Sequence, residues 1–216
     1  MFELDQKKGF YKWSGRYYLL FLYDKYLRKL NLTSTQSSKL LWEDFIKNDS
    51  IEHIFPQSAT LSIEEYAANK EKSVEEVKPE YQKIQDNWCD FKEYSPAQRR
   101  NLANSIGNLL AISRSDNSSF SNDPFLYKVD QSNKGSEYRN RGYKYDSMSA
   151  MVVANNSDWT PQHILKRGLE ILNFLCDYIE EPMNEMDKQT KYKVLGLEFM
   201  YKKDPKTLLG VDVHEN

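Results

Sequence analysis

Apolar residues recur at helical spacing in two long stretches of the chain. Their spacing predicts one helix over residues 13–30 and another over about 161–180, where the apolar steps alternate between four and three. Thr160 can cap the second helix, and Pro161 suits its first turn. The apolar stripe of this second helix is typical of a face that packs against a core. Its positions are Leu165, Leu169, Leu172, Cys176 and Ile179.

Shorter apolar segments predict two strands. Residues 50–55 form the first, which ends at Pro56 because proline cannot donate to a strand ladder. Residues 106–112 form the second. A short helix is predicted over about 38–48, before the first strand.

The segment between the strands is highly charged. Residues 62–94 are rich in Glu and Lys and favour helix, and Ser62 with Glu65 suits a capping box. Pro79 and Pro96 are expected to divide the segment. Because charge runs are usually solvated faces, we interpret it as an exposed helical insertion.

The remaining segments are more polar. Residues 113–119 are interpreted as a turn in which Asp116 could cap a helix. A new helix is expected with Pro124 at its first position, and residues 131–142 are predicted to be a loop. Residues 190–216 are mixed, with a frayed tail. The pattern as a whole predicts a mostly helical α+β protein.

Composition agrees with a globular domain. Apolar residues make up 39% and aromatic residues 13%, while only 8 Gly and 7 Pro argue against an all-β design. The beginning of the chain lacks the features of a signal peptide, and no apolar run is long enough for a membrane span. Two isolated cysteines favour a reducing compartment, so the expected location is the cytoplasm.

The charge is nearly balanced, with 30 basic and 32 acidic residues and a net charge of −2. Proteins that bind nucleic acid usually carry a basic footprint, and this chain has none overall. A local basic strip can still bind phosphates, and residues 128–144 contain one. Its members are Lys128, Lys134, Arg139, Arg141 and Lys144.

The candidate chemistry begins with Glu52 and His53 near the end of the first strand. A carboxylate is a hard ligand suited to Mg²⁺ or Mn²⁺. An imidazole can take a proton from water near neutral pH. Strand neighbours point to opposite faces, but both can serve one site if the strand ends or bends at Pro56. An ordinary strand-end pair is the alternative interpretation.

Two asparagines complete the candidate set. Asn108 sits within an apolar strand pattern, where its side chain must be hydrogen-bonded and could tie down a neighbouring loop. The amide oxygen of Asn117 could bind a hard cation. Either could instead be a turn residue with no chemical role. His163 and His214 are interpreted as structural or exposed. Carboxylate, imidazole and amides together point to a metal-dependent phosphodiesterase.

Three ordered motifs resemble the HNH nuclease domain of GmrSD-type restriction systems. They are Glu52 to Gln57, Ile106 to Ile112 and Asp116 to Lys128, and the resemblance covers roughly residues 13–175. The flanks are similar as well, at residues 16–20 and at Trp159, Ile164 and Arg167. An ordered set of motifs is more specific than any one motif.

The resemblance implies a His-Me finger, which is a ββα core around one Mg²⁺ or Mn²⁺ ion. By this resemblance His53 is the general base and Asn108 orients the loop that bears it. Glu52 and Asn117 take the positions of metal ligands. Asn122 and Lys128 match positions that bind substrate, with Lys128 contacting phosphate.

The resemblance also suggests an organisation and partners. Residues 1–49 would be helices packed on the core, residues 50–130 the ββα core with a helical insertion at about 62–104, and residues 131–216 the C-terminal helices. The substrate would be DNA, modified or not, cleaved within a restriction and phage-defence system. The expected partner is an NTPase-like recognition domain or subunit.

Three alternatives remain open at this stage. The finger could be catalytically weak and serve as a DNA-binding or regulatory module, which the balanced charge favours. It could be an RNase with the same machinery, because nothing in the sequence indicates whether the protein distinguishes ribose from deoxyribose. A structural zinc protein is disfavoured, since two cysteines and three scattered histidines supply no tetrahedral set.

Overall fold

The computed structural model describes residues 9–31, 42, 45, 49–120, 122–179 and 186–201. This part of the chain is a mostly helical α+β domain, which confirms the predicted class. Its strands are β1 (Asp49–His53) and β2 (Leu109–Ser113). Its helices are α1 (Gly9–Lys12), α2 (Arg16–Asn31), α3 (Ile63–Lys70), α4 (Val74–Asn87), α5 (Pro96–Asn104), α6 (Arg114–Phe120), α7 (Phe125–Val129), α8 (Met148–Ala154), α9 (Pro161–Tyr178), α10 (Lys188–Val194) and α11 (Glu198–Tyr201).

The two strands form an antiparallel pair in which His53 lies opposite Leu109. The first strand was predicted over residues 50–55, but its ladder ends at His53. The next backbone nitrogen, that of Ile54, instead donates to the backbone oxygen of Asn108 at 3.0 Å. The chain therefore leaves the sheet directly after the histidine.

The second strand begins three residues later than predicted. Residues 106–108 form a 3₁₀ turn, and β2 begins at Leu109. Gly107 in this turn lies so close to helix α9 that an added Cβ atom would be 1.9 Å from the backbone oxygen of Ile164. Asn108 is thus the last residue of a turn rather than part of a strand.

The charged segment contains α3 and α4, and α5 follows it. The predicted capping box is present, since the Glu65 nitrogen donates to Ser62 Oγ at 3.1 Å and the Glu65 carboxylate accepts from the Ser62 nitrogen at 2.9 Å. Pro79 was expected to divide the segment, but it lies inside α4, whose buried apolar face keeps the helix continuous. Pro96 does begin a new helix, α5.

Two further predictions concern helices. The long helix near the C-terminus is confirmed as α9, capped by Thr160 through its contact with the His163 nitrogen. The turn predicted over residues 113–119 is wrong, because Ser113 ends β2 and Arg114–Phe120 is helix α6. Asp116 is the third residue of α6 and does not precede the helix. The prediction relied on the weak helix propensity of these polar residues, and tertiary packing against β1 and β2 outweighs that propensity.

The first predicted helix is confirmed as α2, which begins at Arg16 rather than Trp13. It packs against α9, α8 and β2. The helix predicted over 38–48 falls mostly outside the described residues, and of that stretch Trp42 and Phe45 are helical. The tail from residue 202 onward also lies outside them. Within the described ranges, no helix combines the length and apolar character that a membrane span requires.

Gly107 offers a direct test of the close packing between the turn and α9. Gly107→Ala should destabilise the domain by about 3 kcal/mol, because the added methyl group meets backbone atoms that cannot move aside. Gly196→Ala is the control, since Gly196 has a positive φ of 73° but no heavy atom within 4 Å of its added Cβ. It should cost only about 1 kcal/mol. Denaturant unfolding measures both, and equal losses would contradict the packing argument.

Candidate active site at the end of strand β1

Asn108 fixes the chain segment that follows His53. Its Oδ1 accepts from the Phe55 nitrogen at 2.8 Å, and its Nδ2 donates to the Phe55 oxygen at 2.9 Å and the Ala103 oxygen at 3.0 Å. Trp159 Nε1 donates to the same Oδ1 at 3.1 Å. The amide is fully buried, and both its donors and its acceptor are used. Asn108 therefore holds the loop after His53 through both the backbone nitrogen and the backbone oxygen of Phe55.

Arg167 holds the turn that carries Asn108. Its Nη1 donates to the backbone oxygens of Ile106, Gly107 and Leu109 at 3.2, 2.8 and 2.9 Å. Burial lowers the pKa of Arg167 to about 10, so the guanidinium stays charged at neutral pH. Backbone carbonyl oxygens rather than a carboxylate accept these hydrogen bonds, and they solvate the buried charge.

A second set of contacts ties this turn to α2. Arg167 Nη2 donates to Ser149 Oγ at 2.9 Å. The Ser149 nitrogen donates to Asp24 Oδ1 at 2.7 Å, and Arg28 Nε donates to Asp24 Oδ2 at 2.7 Å. The turn is thus connected through buried polar groups to α8 and α2.

His53 is nearly buried, with 8% of its surface exposed. Burial is the main cause that lowers the pKa of His53 to about 3, and the neighbouring Asn104 amide opposes this shift. Tyr11 covers part of the imidazole, with ring centroids 4.3 Å apart. Nε2 of His53 has no hydrogen-bond partner among the described residues. The ring is therefore neutral at pH 7 and keeps one nitrogen unused.

Glu52 is buried beside a lysine and a tyrosine. Lys128 Nζ lies 2.6 Å from its Oε1, and the Tyr143 hydroxyl donates to the same oxygen at 2.9 Å. Burial raises the pKa of Glu52, while Lys128 and Tyr143 oppose that shift. Burial and the nearby Glu52 raise the pKa of Tyr143 well above its usual value, so Tyr143 stays a donor.

Lys128 is fully buried, although it was expected to contact phosphate. Besides Glu52, its Nζ donates to the backbone oxygens of His53 and Ile54 at 2.9 and 3.1 Å. A buried carboxylate needs a compensating charge, and Lys128 supplies it. The expected phosphate contact does not fit this position, because the ammonium is inside the protein.

Asn117 lies on α6 and reaches back to β1. Its Nδ2 donates to Ser50 Oγ and to the Ile51 oxygen, the latter at 3.3 Å. In the described ranges there is no group of three or more His, Cys, Asp or Glu side chains that could hold a metal ion. With Lys128 on Glu52, this donor set as arranged does not fit a divalent cation bound at Glu52.

A cleft of about 460 Å³ opens beside the segment that follows β1. Asn122, the other expected substrate contact, lines it and accepts a hydrogen bond from Ser58. Asn104 lines it as well, and the same residue influences the His53 imidazole. The remaining lining residues are Gln57, Ser58, Thr60, Leu61, Tyr66, Asn69, Lys70, Arg100 and Ala103.

The structure brings Glu52, His53 and Lys128 together at the end of β1 and places Asn108 directly behind them. Sequence analysis missed Tyr143 and Asn104. Tyr143 follows an irregular polar stretch, and no periodic pattern marks it. Only contacts between distant segments identify either residue.

These features define a mostly helical α+β domain whose polar centre is a histidine at the end of a two-stranded sheet, fixed by a buried asparagine. A family model described as GmrSD restriction endonucleases, C-terminal domain, matches residues 3–174. The chain therefore belongs to this family and is a domain of restriction endonucleases. No curated protein and no solved structure is a significant match to it.

A double-mutant cycle tests the buried pair of Glu52 and Lys128. Lys128→Met should cost about 3 to 5 kcal/mol, because it leaves an uncompensated buried carboxylate. Glu52→Gln should also destabilise the domain. The double variant should be more stable than the sum of the single losses predicts, by about 2 kcal/mol. Free energies of unfolding in urea measure the cycle, and additive losses would show that the pair is not coupled.

The pKa of His53 predicts a pH dependence of stability. The folded pKa of about 3 lies below the usual 6.5, so the unfolded state takes up a proton first as the pH falls. The stability that His53 contributes is fully present above pH 6.5 and decreases as the pH falls toward 3. Between about pH 7.5 and about pH 5 the loss should be about 2 kcal/mol larger than in His53→Gln.

Both proteins are measured with a chelator present, so that no metal contributes. The raised pKa of Glu52 acts in the opposite direction, but it is common to both proteins. The same pH dependence in the parent and in His53→Gln would show that the imidazole titrates normally.

Proposed function

We propose that this chain is a nuclease domain that hydrolyses DNA phosphodiester bonds, with an HNH or His-Me finger formed by β1, β2 and α6. The antiparallel pairing of β1 with β2 supports the proposal, as does the hydrogen bond from Asn117 on α6 back to β1. Membership of a restriction endonuclease family supports DNA as the substrate.

The observation that carries the proposal is the contact of Asn108 with both polar atoms of the Phe55 backbone. The resemblance implies an asparagine that orients the loop bearing the general base. Asn108 holds the chain two residues beyond His53, and it does so with a fully buried amide. A turn asparagine with no such role would not need to be buried or so fully bonded.

His53 is the proposed general base. A neutral imidazole with an unused Nε2 can accept a proton from water, which then attacks the phosphorus. The bond to the 3′ oxygen breaks, and its electron pair leaves with that oxygen. The products would be 5′-phosphate and 3′-hydroxyl ends, as the family resemblance implies. The low pKa means that protonation does not remove this base at neutral pH.

The cleft beside β1 is the proposed path for the scissile strand. Asn122 and Asn104 present amide groups that can bond to phosphate or sugar oxygens. Asn104 also adjoins His53, so a strand in the cleft would lie near the base. For the scissile strand to approach Nε2 of His53 more closely, surrounding side chains such as Tyr11 must shift.

Dependence on Mg²⁺ or Mn²⁺ is proposed from the resemblance alone. Such an ion would stabilise charge that develops on the phosphate oxygens and the leaving oxygen. By that resemblance Glu52 and Asn117 would be the ligands, but Glu52 could bind an ion only if Lys128 moved away from it. An NTPase-like recognition domain or subunit is the proposed partner.

Replacement of His53 tests the nuclease assignment. His53→Ala should lower the rate of plasmid cleavage roughly 10²- to 10⁴-fold, the usual effect of losing a general base. His163→Ala is the matched control, because His163 sits on α9, and it should cleave like the parent. The assay compares Mg²⁺, Mn²⁺ and chelator, and it runs RNA in parallel with DNA.

Circular dichroism melting establishes that each variant is folded. Equal cleavage by folded His53→Ala and the parent would remove His53 as the base. A parent that cleaves neither nucleic acid under any metal condition would favour a DNA-binding or regulatory module instead.

A further inference from the structure

The basic strip of residues 128–144 divides into two groups in the folded protein. Three of its five cations are used internally. Lys128 pairs with Glu52, Lys134 pairs with Asp123, and Lys144 pairs with Asp130 at 3.2 Å. These side chains neutralise the protein's own carboxylates, so the strip is less basic than its sequence suggests.

Arg139 and Arg141 differ from the other three. Both are exposed, and neither makes an ion pair or side-chain hydrogen bond in the part of the chain that is described. An arginine that pairs with nothing in its own protein keeps all five donors for another molecule. Its planar guanidinium matches a phosphate with two parallel hydrogen bonds.

The two arginines lie on a segment that is attached to the candidate site. We call residues 138–145 the arginine loop. The Gln131 nitrogen donates to the Arg141 oxygen at 3.0 Å, which holds the loop against the end of α7. Gly142 packs so closely there that an added Cβ would lie 2.6 Å from the Val129 oxygen. Tyr143 then turns inward and donates to Glu52, the neighbour of His53.

The arginine loop is also connected to the edge of the cleft through Lys134, whose Nζ lies 5.8 Å from the centroid of the Tyr138 ring. Lys134 pairs with Asp123 and donates to the Ser119 oxygen at 2.9 Å. Asp123 directly follows Asn122, which lines the cleft. The arginine loop, with its two unpaired cations, is therefore joined through Lys134 to the residue next to the cleft-lining Asn122.

Aromatic side chains accompany the two arginines. Tyr145 is 52% exposed and Tyr127 is 40% exposed, although large aromatic side chains usually bury most of their surface. Interleaved cations and aromatic rings are typical of surfaces that track a nucleic-acid strand.

We propose that the arginine loop is the surface that holds the DNA backbone beside His53, with Arg139 and Arg141 each contacting one phosphate. The inference rests on the proposed nuclease function and adds the residues that bind its substrate. It replaces Lys128 as the phosphate contact. The net charge of −2 makes such a local site necessary, because the whole protein does not attract nucleic acid.

The test measures DNA binding apart from cleavage. The variant Arg139→Ala with Arg141→Ala is made in a His53→Ala background, so that no substrate is consumed. Binding to two duplexes of unrelated sequence is followed by fluorescence anisotropy over a range of salt concentrations. The Kd should rise roughly 10- to 100-fold at low salt, and the slope of log K against log salt should fall by about 1.8.

The matched control is Lys78→Ala with Lys83→Ala in the same background. Both lysines are exposed on α4, and the control removes two positive charges as the test variant does. It should leave the Kd and the salt slope unchanged. Arg139→Lys with Arg141→Lys should recover the slope but only part of the affinity, because an ammonium cannot bond to phosphate in the planar bidentate way.

The outcomes separate this inference from the nuclease assignment. Unchanged Kd and slope in the double alanine variant would overturn the inference, and so would no DNA binding by the His53→Ala background protein. Cleavage by the protein with His53 intact is measured separately. If it cleaves DNA while the slope is unchanged, only the arginine loop is rejected. If the slope falls as expected but no cleavage occurs, the surface stands and the nuclease assignment fails.

Discussion

The arrangement of the site depends on one buried side chain, Asn108. Its amide bonds to both polar backbone atoms of Phe55 and to the Trp159 indole, so it joins the end of β1 to the segment before α9. Burial makes each of these bonds obligatory, since an unpaired amide group in the interior would cost about 1 to 3 kcal/mol. The direction in which the chain leaves β1 after His53 follows from this requirement.

Two buried cations, Arg167 and Lys128, hold the backbone near Asn108 and His53, and they are stabilised in different ways. Arg167 is solvated by backbone oxygens of the turn that bears Asn108, and it thereby shapes the turn. Lys128 is compensated by Glu52 and by the backbone oxygen of His53. Each cation therefore fixes one side of the site. The His53 imidazole has no carboxylate partner among the described residues, and burial lowers its pKa to about 3.

Much of the fold was predictable from local pattern. Helices α2 and α9 show apolar residues at helical spacing, and the capping box of Ser62 and Glu65 was recognised from spacing alone. The failures have tertiary causes. Helix α6 consists of polar residues that favour turns, yet it forms because it packs on β1 and β2. Pro79 does not break α4, because the helix continues to bury its apolar face.

For the site, the sequence by itself determined the order of the chemical groups: an acid before a histidine, an asparagine far along the chain, and motifs that resemble one nuclease family. It could not determine which groups meet, since that depends on packing between segments more than 50 residues apart, such as the contact of Asn108 with Phe55. Only the tertiary structure decided that Lys128 lies inside the protein beside Glu52, while Arg139 and Arg141 remain at the surface. The physical reason is that a buried carboxylate requires a compensating cation. The sequence does not reveal which cation folding will place beside Glu52.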